Sequence, residues 1–337
     1  MLPVVSIIVN CFNQGRYLER SVKSVLDQTF TDLECIIVDD GSTDNTRKVA
    51  EHLMTLDSRV KYFYKENGGL PSARNFGVQK AQGEWIQCLD ADDWIHEDKT
   101  RFQLEHLQGI DATQDIVFYS DYERVFIGAD ETIVDRQKNV IGSLTKDELI
   151  QRILTPDVWA ASPHPVLQQA MLMKKSAVSK SKFPEHLKAL GDRYFALDLV
   201  AKDVKFIYTP LVGAFYTKHQ SNRTNNWKYM ENYYISFYEE VKKNHKDLLS
   251  LCQPSLERLA NETVREKTRD HFERLLHLIQ FPIYLFDIKF RINNIASLKN
   301  AYKMRMVLPN FLLYEKYRGP RSKKIVAIIS RLIGARQ

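Results

Sequence analysis

Three carboxylates fall within four positions in Asp90-Ala91-Asp92-Asp93, directly after the apolar run Trp85-Ile86-Gln87-Cys88-Leu89. Such a run reads as a buried strand, and its acids then discharge into a cleft at the strand end. Like charges this close repel unless a cation or a solvated mouth relieves them. Asp90 and Asp92 can close on one divalent metal where the backbone turns, and a hard metal held by few carboxylates usually carries phosphate on its other faces. A second strand end, Asp39-Asp40-Gly41-Ser42, is also acidic. An Asp there can accept from a ring N–H or from ribose hydroxyls, or cap the helix that follows. Arg74 comes shortly after Asn67-Gly68-Gly69. Its guanidinium suits a phosphate or a base carbonyl. These side chains together describe a mouth for a nucleotide.

The elements that must position them alternate. Residues 4–10 are β-branched with almost no alternation, as expected of a parallel strand covered on both faces. Residues 16–28 carry apolar positions at helical spacing, and residues 34–38 form a second strand. Ser42 or Asp44 is expected to cap a helix running to about Leu56, and residues 60–64 make a third strand. Pro71 suits the start of another helix. Strand–helix alternation with short links predicts an α/β fold, a doubly wound, mostly parallel sheet with its ligand mouth at the strand C-terminal ends.

Beyond the acids the pattern predicts a helix over 94–108, a strand over 115–121 and a polar excursion over 128–143. A short helix over 144–153 and a strand over 168–174 follow, with Trp159 in the irregular stretch between them. Gly191 breaks one segment, so Asp192 stands at the N-terminal edge of a new helix, where an acid caps favourably. Aromatic residues recur at helical spacing over 225–244, and 257–280 reads as one long helix.

Composition bounds what this machinery serves. The 337 residues suffice for one large α/β unit or two domains, and four scattered cysteines make no disulfide scaffold. They fit a reducing, cytoplasmic setting; no signal peptide precedes the first strand, and no stretch approaches a membrane span. Net charge is +6, yet residues 281–337 hold 12 Lys/Arg against 2 Asp/Glu. A basic tail with a short apolar centre at 325–329 is too short to cross a bilayer and suits the surface of an anionic one. Nucleic acid is excluded as a partner, because the mouth is lined by carboxylates that repel a phosphate backbone. No Gly-x-Gly-x-x-Gly follows the first strand and no Gly-x-x-x-x-Gly-Lys-Ser/Thr loop occurs, which argues against dehydrogenase and ATPase chemistry.

Four pieces in order carry a resemblance: the 4–13 strand and turn, Asp39-Asp40-Gly41-Ser42-Thr43-Asp44, Asn67-Gly68-Gly69 leading to Ala73-Arg74-Asn75-Phe76-Gly77, and Gly83-Glu84-Trp85 leading to Asp90-Ala91-Asp92-Asp93. Over residues 4–120 the chain resembles the nucleotide-sugar-binding half of a family 2 glycosyltransferase of GT-A fold. The resemblance implies a hexosyltransferase, moving a sugar from a nucleotide diphosphate sugar (a UDP-sugar is expected) to a hydroxyl acceptor with inversion. It implies that Asp39 holds the base, that Arg74 helps hold the nucleotide, and that Asp90 faces the ribose. Asn10, where the family commonly has proline, and Asn67 complete the expected nucleotide contacts. Asp92 matches the metal-ligating residue, for Mg²⁺ or Mn²⁺, and the aromatic-x-x-His pattern at Tyr216–His219 adds His219 to the metal side. Where the family usually has Glu-Asp this chain has Gly191-Asp192, which makes Asp192 the expected base.

The expected organisation is therefore residues 1–220 as a GT-A-like domain, with 1–120 for the nucleotide sugar and 121–220 for the acceptor. Residues 221–337 form a helical extension with a basic amphipathic tail. The expected work is synthesis of a surface polysaccharide, lipopolysaccharide or other glycan, on a glycan or lipid-linked acceptor, cytoplasmic and peripheral to the membrane. A nucleotidyltransferase of similar core is the alternative enzyme, although Cys11–Gly15 lacks the glycine-rich basic loop it needs. A non-catalytic nucleotide-sugar-binding relative is the other alternative.

Overall fold

The computed structural model describes residues 2–111, 113–128, 130–155, 164–219, 222, 227–285 and 290–307. The expected irregular stretch with Trp159 and the apolar centre of the tail lie outside them. The first half runs β1 (Val5–Cys11), α1 (Gly15–Leu26), β2 (Leu33–Asp39), α2 (Thr46–Leu56), β3 (Val60–Tyr64), α3 (Leu70–Lys80) and β4 (Trp85–Asp90). It continues through β5 (Trp94–Ile95), α4 (Lys99–Glu105), β6 (Ile116–Ile127), β7 (Ile133–Asn139) and α5 (Lys146–Leu154). A single 3₁₀ turn, Gln168–Ala170, leads into β8 (Met171–Lys174) and α6 (Lys175–Ser179), then α7 (Gly191–Ala201), β9 (Lys205–Lys218) and α8 (Trp227–Asn244). A longer 3₁₀ segment, Lys246–Cys252, precedes α9 (Gln253–Glu266), α10 (Arg269–Leu275), β10 (Ile283–Leu285), β11 (Phe290–Ile292) and α11 (Ile295–Val307).

Among the described residues one nine-stranded sheet has the order β3-β2-β1-β4-β8-β6-β9-β5, with β7 paired to β6. β1, β2, β3 and β4 run parallel, β8 is antiparallel to both β4 and β6, and β6 and β9 are parallel. Every residue of β1 and β2 is buried, which is why their sequences show β-branched runs without alternation. α1 lays Tyr17, Leu18, Val22 and Val25 on one face of the sheet, and each such buried aliphatic chain contributes about 1.5–3 kcal/mol. α3 approaches the other face so closely that a Cβ on Gly77 would collide with Ile8. Two register shifts, at Ser120/Asp121 and Asp121/Tyr122, bend the β6–β9 pair around Pro210 and Gly213 and carry the end of β9 toward the acidic loop.

Several expected elements take another form. Residues 94–108 do not begin as helix: Trp94 and Ile95 pair with Phe215 and Ala214, and the helix starts only at Lys99. Pairing to β9 wins because it buries Ile95 and stacks Trp94 on Phe215 at 5.2 Å. Within the polar stretch 128–143, Ile133–Asn139 form an edge strand, β7, paired on one side to β6, and all its side chains except Asn139 are exposed. Residues 168–174 are a 3₁₀ turn followed by a short strand. The residue at the N-cap of α2 is Asn45, while Asp44 turns its carboxylate to Thr46 N and Gly15 N. The long helix expected over 257–280 is broken at Lys267, which sits at φ 60°.

The chain divides into two compact units, Met1–Tyr233 and Tyr234–Gln337. The nine-stranded sheet and all the residues of the candidate site belong to the first. The second has its own core of Leu256, Leu259, Val264, Phe272, Leu275, Leu298 and Ala301, with Phe272 stacked on Tyr302 at 4.3 Å. No helix among the described residues is long and apolar enough to cross a membrane.

Candidate active site

The C-terminal ends of β1, β2 and β4 lie side by side, because Asn10 pairs with Val38 on one side and Asp90 on the other. This register gathers Asn10, Asp39 and Asp90 at one edge of the sheet. Asp39 is buried and accepts from Ser42 N (2.8 Å) and from the Tyr62 hydroxyl (2.7 Å). Burial and that bond push the Tyr62 hydroxyl up to about 12, so it stays a donor. Asn10 is 3% exposed, and neither atom of its side-chain amide finds a partner. Such an orphan amide is uncommon in a native core, and it ends the strand that faces the mouth.

Asp40 does structural work that its sequence context does not reveal. Its carboxylate accepts from Lys65 Nζ (2.7 Å), Gly68 N (3.0 Å) and Gly69 N (2.7 Å), so it ties down the glycine loop. Asn67 closes the same tie, donating its amide to the Asp40 carbonyl at 2.7 Å. Gly41 is at φ 81°, and a Cβ there would stand 2.8 Å from Asn67 N, so only glycine lets this loop approach.

Arg74 sits in the first turns of α3 and is 3% exposed. Its Nη2 reaches both oxygens of Asp90, at 3.0 and 3.3 Å, and its guanidinium lies over the Phe183 ring at 5.5 Å. Burial works to lower the Arg74 pKa, but Asp90 and Asp192 lift it above its ordinary value, so the side chain is a fixed cation. Burial raises the Asp90 carboxyl above the usual range against the pull of Arg74, and Asp92 and Asp192 add repulsion. Asp192, in the first turn of α7, is thus near enough to act on both members of that pair. Its Oδ1 accepts from Arg193 N at 2.9 Å. Leu190, just before the helix, is held at φ 62°, a left-handed conformation that a branched side chain seldom adopts.

Asp90 and Asp92 do not close on each other as their spacing suggests. Asp90 is committed to Arg74 and Gln169, and Asp92 turns to His219, whose Nε2 stands 3.1 Å from Asp92 Oδ2. His219 is also stacked on Tyr17 at 5.6 Å. The Asp92 backbone is fixed by Arg20, whose Nη2 donates to its carbonyl at 2.6 Å while the guanidinium lies 4.2 Å over Trp94. Asp93 turns inward, accepting from Thr217 N (2.7 Å), Thr217 Oγ1 (3.0 Å) and Gln169 Nε2. Burial first, then Asp92 and Asp90, raise its carboxyl well above the usual range. Among the described residues no set of three or more acid, histidine or cysteine side chains is arranged to hold a metal.

Every residue expected from the sequence to serve the site therefore lies at this one end of the first unit. Gln169, Thr217, Arg20 and Tyr62, and the task of Asp40, were not legible in the sequence: their bonds join positions up to 125 apart in the chain, and no local pattern marks them. A cavity of about 680 Å³ opens elsewhere, lined by Asp115, Leu144, Leu149, Val204 and Phe206 among others, and none of the acids at the mouth borders it.

The family model described as Glycosyl transferase family 2 matches residues 6–176, about half of the chain, and the chain belongs to that family. Among its relatives is the glycosyltransferase GlyG of Streptococcus pneumoniae serotype 4, 37% identical over 36% of this chain and 41% of that protein. Another is the putative teichuronic acid biosynthesis glycosyltransferase TuaG of Bacillus subtilis, 35% identical over 45% of this chain and 59% of TuaG. The chain thus spans about two fifths to three fifths of the length of these relatives. In three dimensions it is similar to S. aureus TarS 1–349 in complex with UDP-GlcNAc, with a TM-score of 0.59, 17% identity and coverage of 82% of this chain and 79% of that one. That likeness concerns the fold, a mostly parallel sheet of GT-A type flanked by helices.

Proposed function

We propose that the protein transfers a sugar from a nucleotide diphosphate sugar, with a UDP-sugar as the first candidate, to a hydroxyl acceptor with inversion at the anomeric carbon. The observation that carries this is the convergence of a buried acid for the base (Asp39), a fixed cation (Arg74 on Asp90), an Asp92–His219 pair at 3.1 Å and a separate carboxylate at a helix start (Asp192). Asp92 and His219 fit a Mg²⁺ or Mn²⁺ ion: a carboxylate oxygen and an imidazole nitrogen a hydrogen bond apart can both turn to one cation, with diphosphate and water completing its shell. When bound, such an ion supplies Lewis acidity to the departing diphosphate.

The chain's own groups do the rest. Asp39 accepts from the base, and Asn10 and Asn67 line the same strand end. Arg74 holds Asp90 toward the ribose and adds positive charge beside the nucleotide. Asp192 takes the proton from the acceptor hydroxyl, opposite the leaving group. UDP-GlcNAc in TarS and the teichuronic acid role named for TuaG support a nucleotide-sugar donor and a polysaccharide acceptor. The basic residues 281–337 support attachment to an anionic membrane at the cytoplasmic face, where a lipid-carried acceptor would be presented.

Asp92→Asn tests the site: it should leave the protein folded while Mn²⁺-dependent release of UDP from UDP-sugars falls by orders of magnitude. A wild-type rate at saturating donor and limiting metal would count against the assignment. Asp192→Asn should instead lower kcat by about 10²–10⁴ with little change in donor affinity.

A further inference from the structure

Gln169 lies outside every motif discussed so far, yet its amide is a neutral donor placed between two of the site's acids. Nε2 donates to Asp93 Oδ2 and lies 3.3 Å from Asp90 Oδ2. On its other side the Asp93 carboxylate receives both the N–H and the hydroxyl of Thr217, two residues before His219, and the Thr217 hydroxyl also reaches the Asp92 carbonyl at 3.0 Å. Asp93 is therefore the pin between the loop that carries Asp92 and the strand end that carries His219. Gln169 holds that pin.

The platform beneath Gln169 is unusually fixed. The carbonyls of three consecutive residues each accept from a buried side chain: Gln169 from Gln87 (3.5 Å), Ala170 from Gln103 (3.2 Å) and Ser120 (3.3 Å), and Met171 from Lys99 (3.0 Å). Lys99 is fully buried and also reaches Gln87 Oε1 (2.7 Å) and Gln103 Oε1 (2.8 Å), so one amine locks both glutamines that hold the turn. Its acceptors are all neutral.

We propose that Gln169 is a positioning residue: its amide sets the Asp90 and Asp93 carboxylates so that Asp92 and His219 remain in range of one divalent cation. The residue type matters. An amide donates one N–H to each acid and adds no charge of its own, whereas a lysine there would place a second cation beside Arg74 and repel the divalent ion. This inference rests on the nucleotide–cation reading of the site.

The test is Mn²⁺ uptake by the full chain, followed by electron paramagnetic resonance and calorimetry with UDP and then GDP present. Melting curves confirm that each variant is folded. Gln169→Ala should weaken Mn²⁺ binding by about 10-fold, the lower end of what loss of a ligand's direct partner costs because Gln169 acts through Asp93 and Thr217, and lower metal-free nucleotide affinity far less, since Arg74 still holds Asp90. Gln169→Glu keeps the shape but brings no N–H donor and adds repulsion, so it should bind Mn²⁺ no better than Gln169→Ala. Mn²⁺ affinity equal to wild type in either variant overturns the inference alone. A wild-type chain that takes up neither Mn²⁺ nor nucleotide overturns the reading of the site, and this inference with it.

Discussion

Asp40 shows how little a single acid's neighbours in sequence say about its task. Beside Asp39 it reads as a second ligand group or a cap, but its two oxygens are spent on Lys65, Gly68 N and Gly69 N. An asparagine in its place would turn an amide toward one of those donors. Asp40→Asn should therefore cost about 1–3 kcal/mol in stability and raise the KM for the donor more than it lowers kcat. Urea melts and donor saturation curves check this; an unchanged KM would mean the glycine loop is held by other bonds. The legible acids, Asp39, Asp90, Asp92 and Asp192, could be placed because Asp39 and Asp90 end strands, Asp192 opens a helix and Asp92 lies two residues past a strand end, all set by local periodicity. Asp40, Gln169 and Thr217 act through bonds between distant segments, and a string of residues carries no mark of those. The departure from proline at Asn10 was visible, and its consequence, a buried amide with no partner, was not.

At the scale of elements, strands covered on both faces were readable and the joints between them were not. Trp94-Ile95 reads as the start of the helix expected over 94–108 and forms a strand instead, paired to Phe215 and Ala214 of β9. The capping box of α5, Thr145 with Glu148, was present in the sequence as Thr-x-x-Glu and fixes where that helix begins. Glu34 is the least visible joint. From β2 it accepts from Ser6 Oγ of β1 (2.5 Å), from Lys61 Nζ of β3 (2.6 Å) and from Gln82 N (2.7 Å), so it fastens three strands at the end opposite the mouth. Burial works to raise its pKa, but these bonds prevail and hold it below the ordinary 4.5. A depressed carboxylate contributes stability that is fully present above its unfolded pKa and lost as pH falls through the folded one. Glu34→Gln should then cost about 1.5–3 kcal/mol at pH 7, toward the lower end because Lys61 is 37% exposed. The difference from wild type should shrink below pH 4.5. A difference constant from pH 7 to pH 3 would show that the charge on Glu34 contributes nothing.

For the whole molecule, two separate cores and an uneven charge decide what the chain can do away from its active site. Residues 1–280 carry a balance of −4 and residues 281–337 one of +10, so the net positive charge is concentrated in the last 57 residues. Five of those cations, and no acid, lie from Arg321 onward, flanking the apolar stretch Ile325-Val326-Ala327-Ile328-Ile329. Near a membrane rich in anionic lipid each contributes about 1 kcal/mol, enough together to shift partitioning by orders of magnitude at low salt. The full chain should sediment with vesicles containing phosphatidylglycerol, and a chain ending at Pro320 should largely remain in solution. Raising ionic strength from about 0.1 to 1 M shortens the screening length from about 10 to 3 Å and should weaken the first without rescuing the second. Binding that survives both truncation and salt would place the membrane contact elsewhere. Turnover on a water-soluble acceptor should be the same for both chains, because every residue assigned to the chemistry lies before Tyr233.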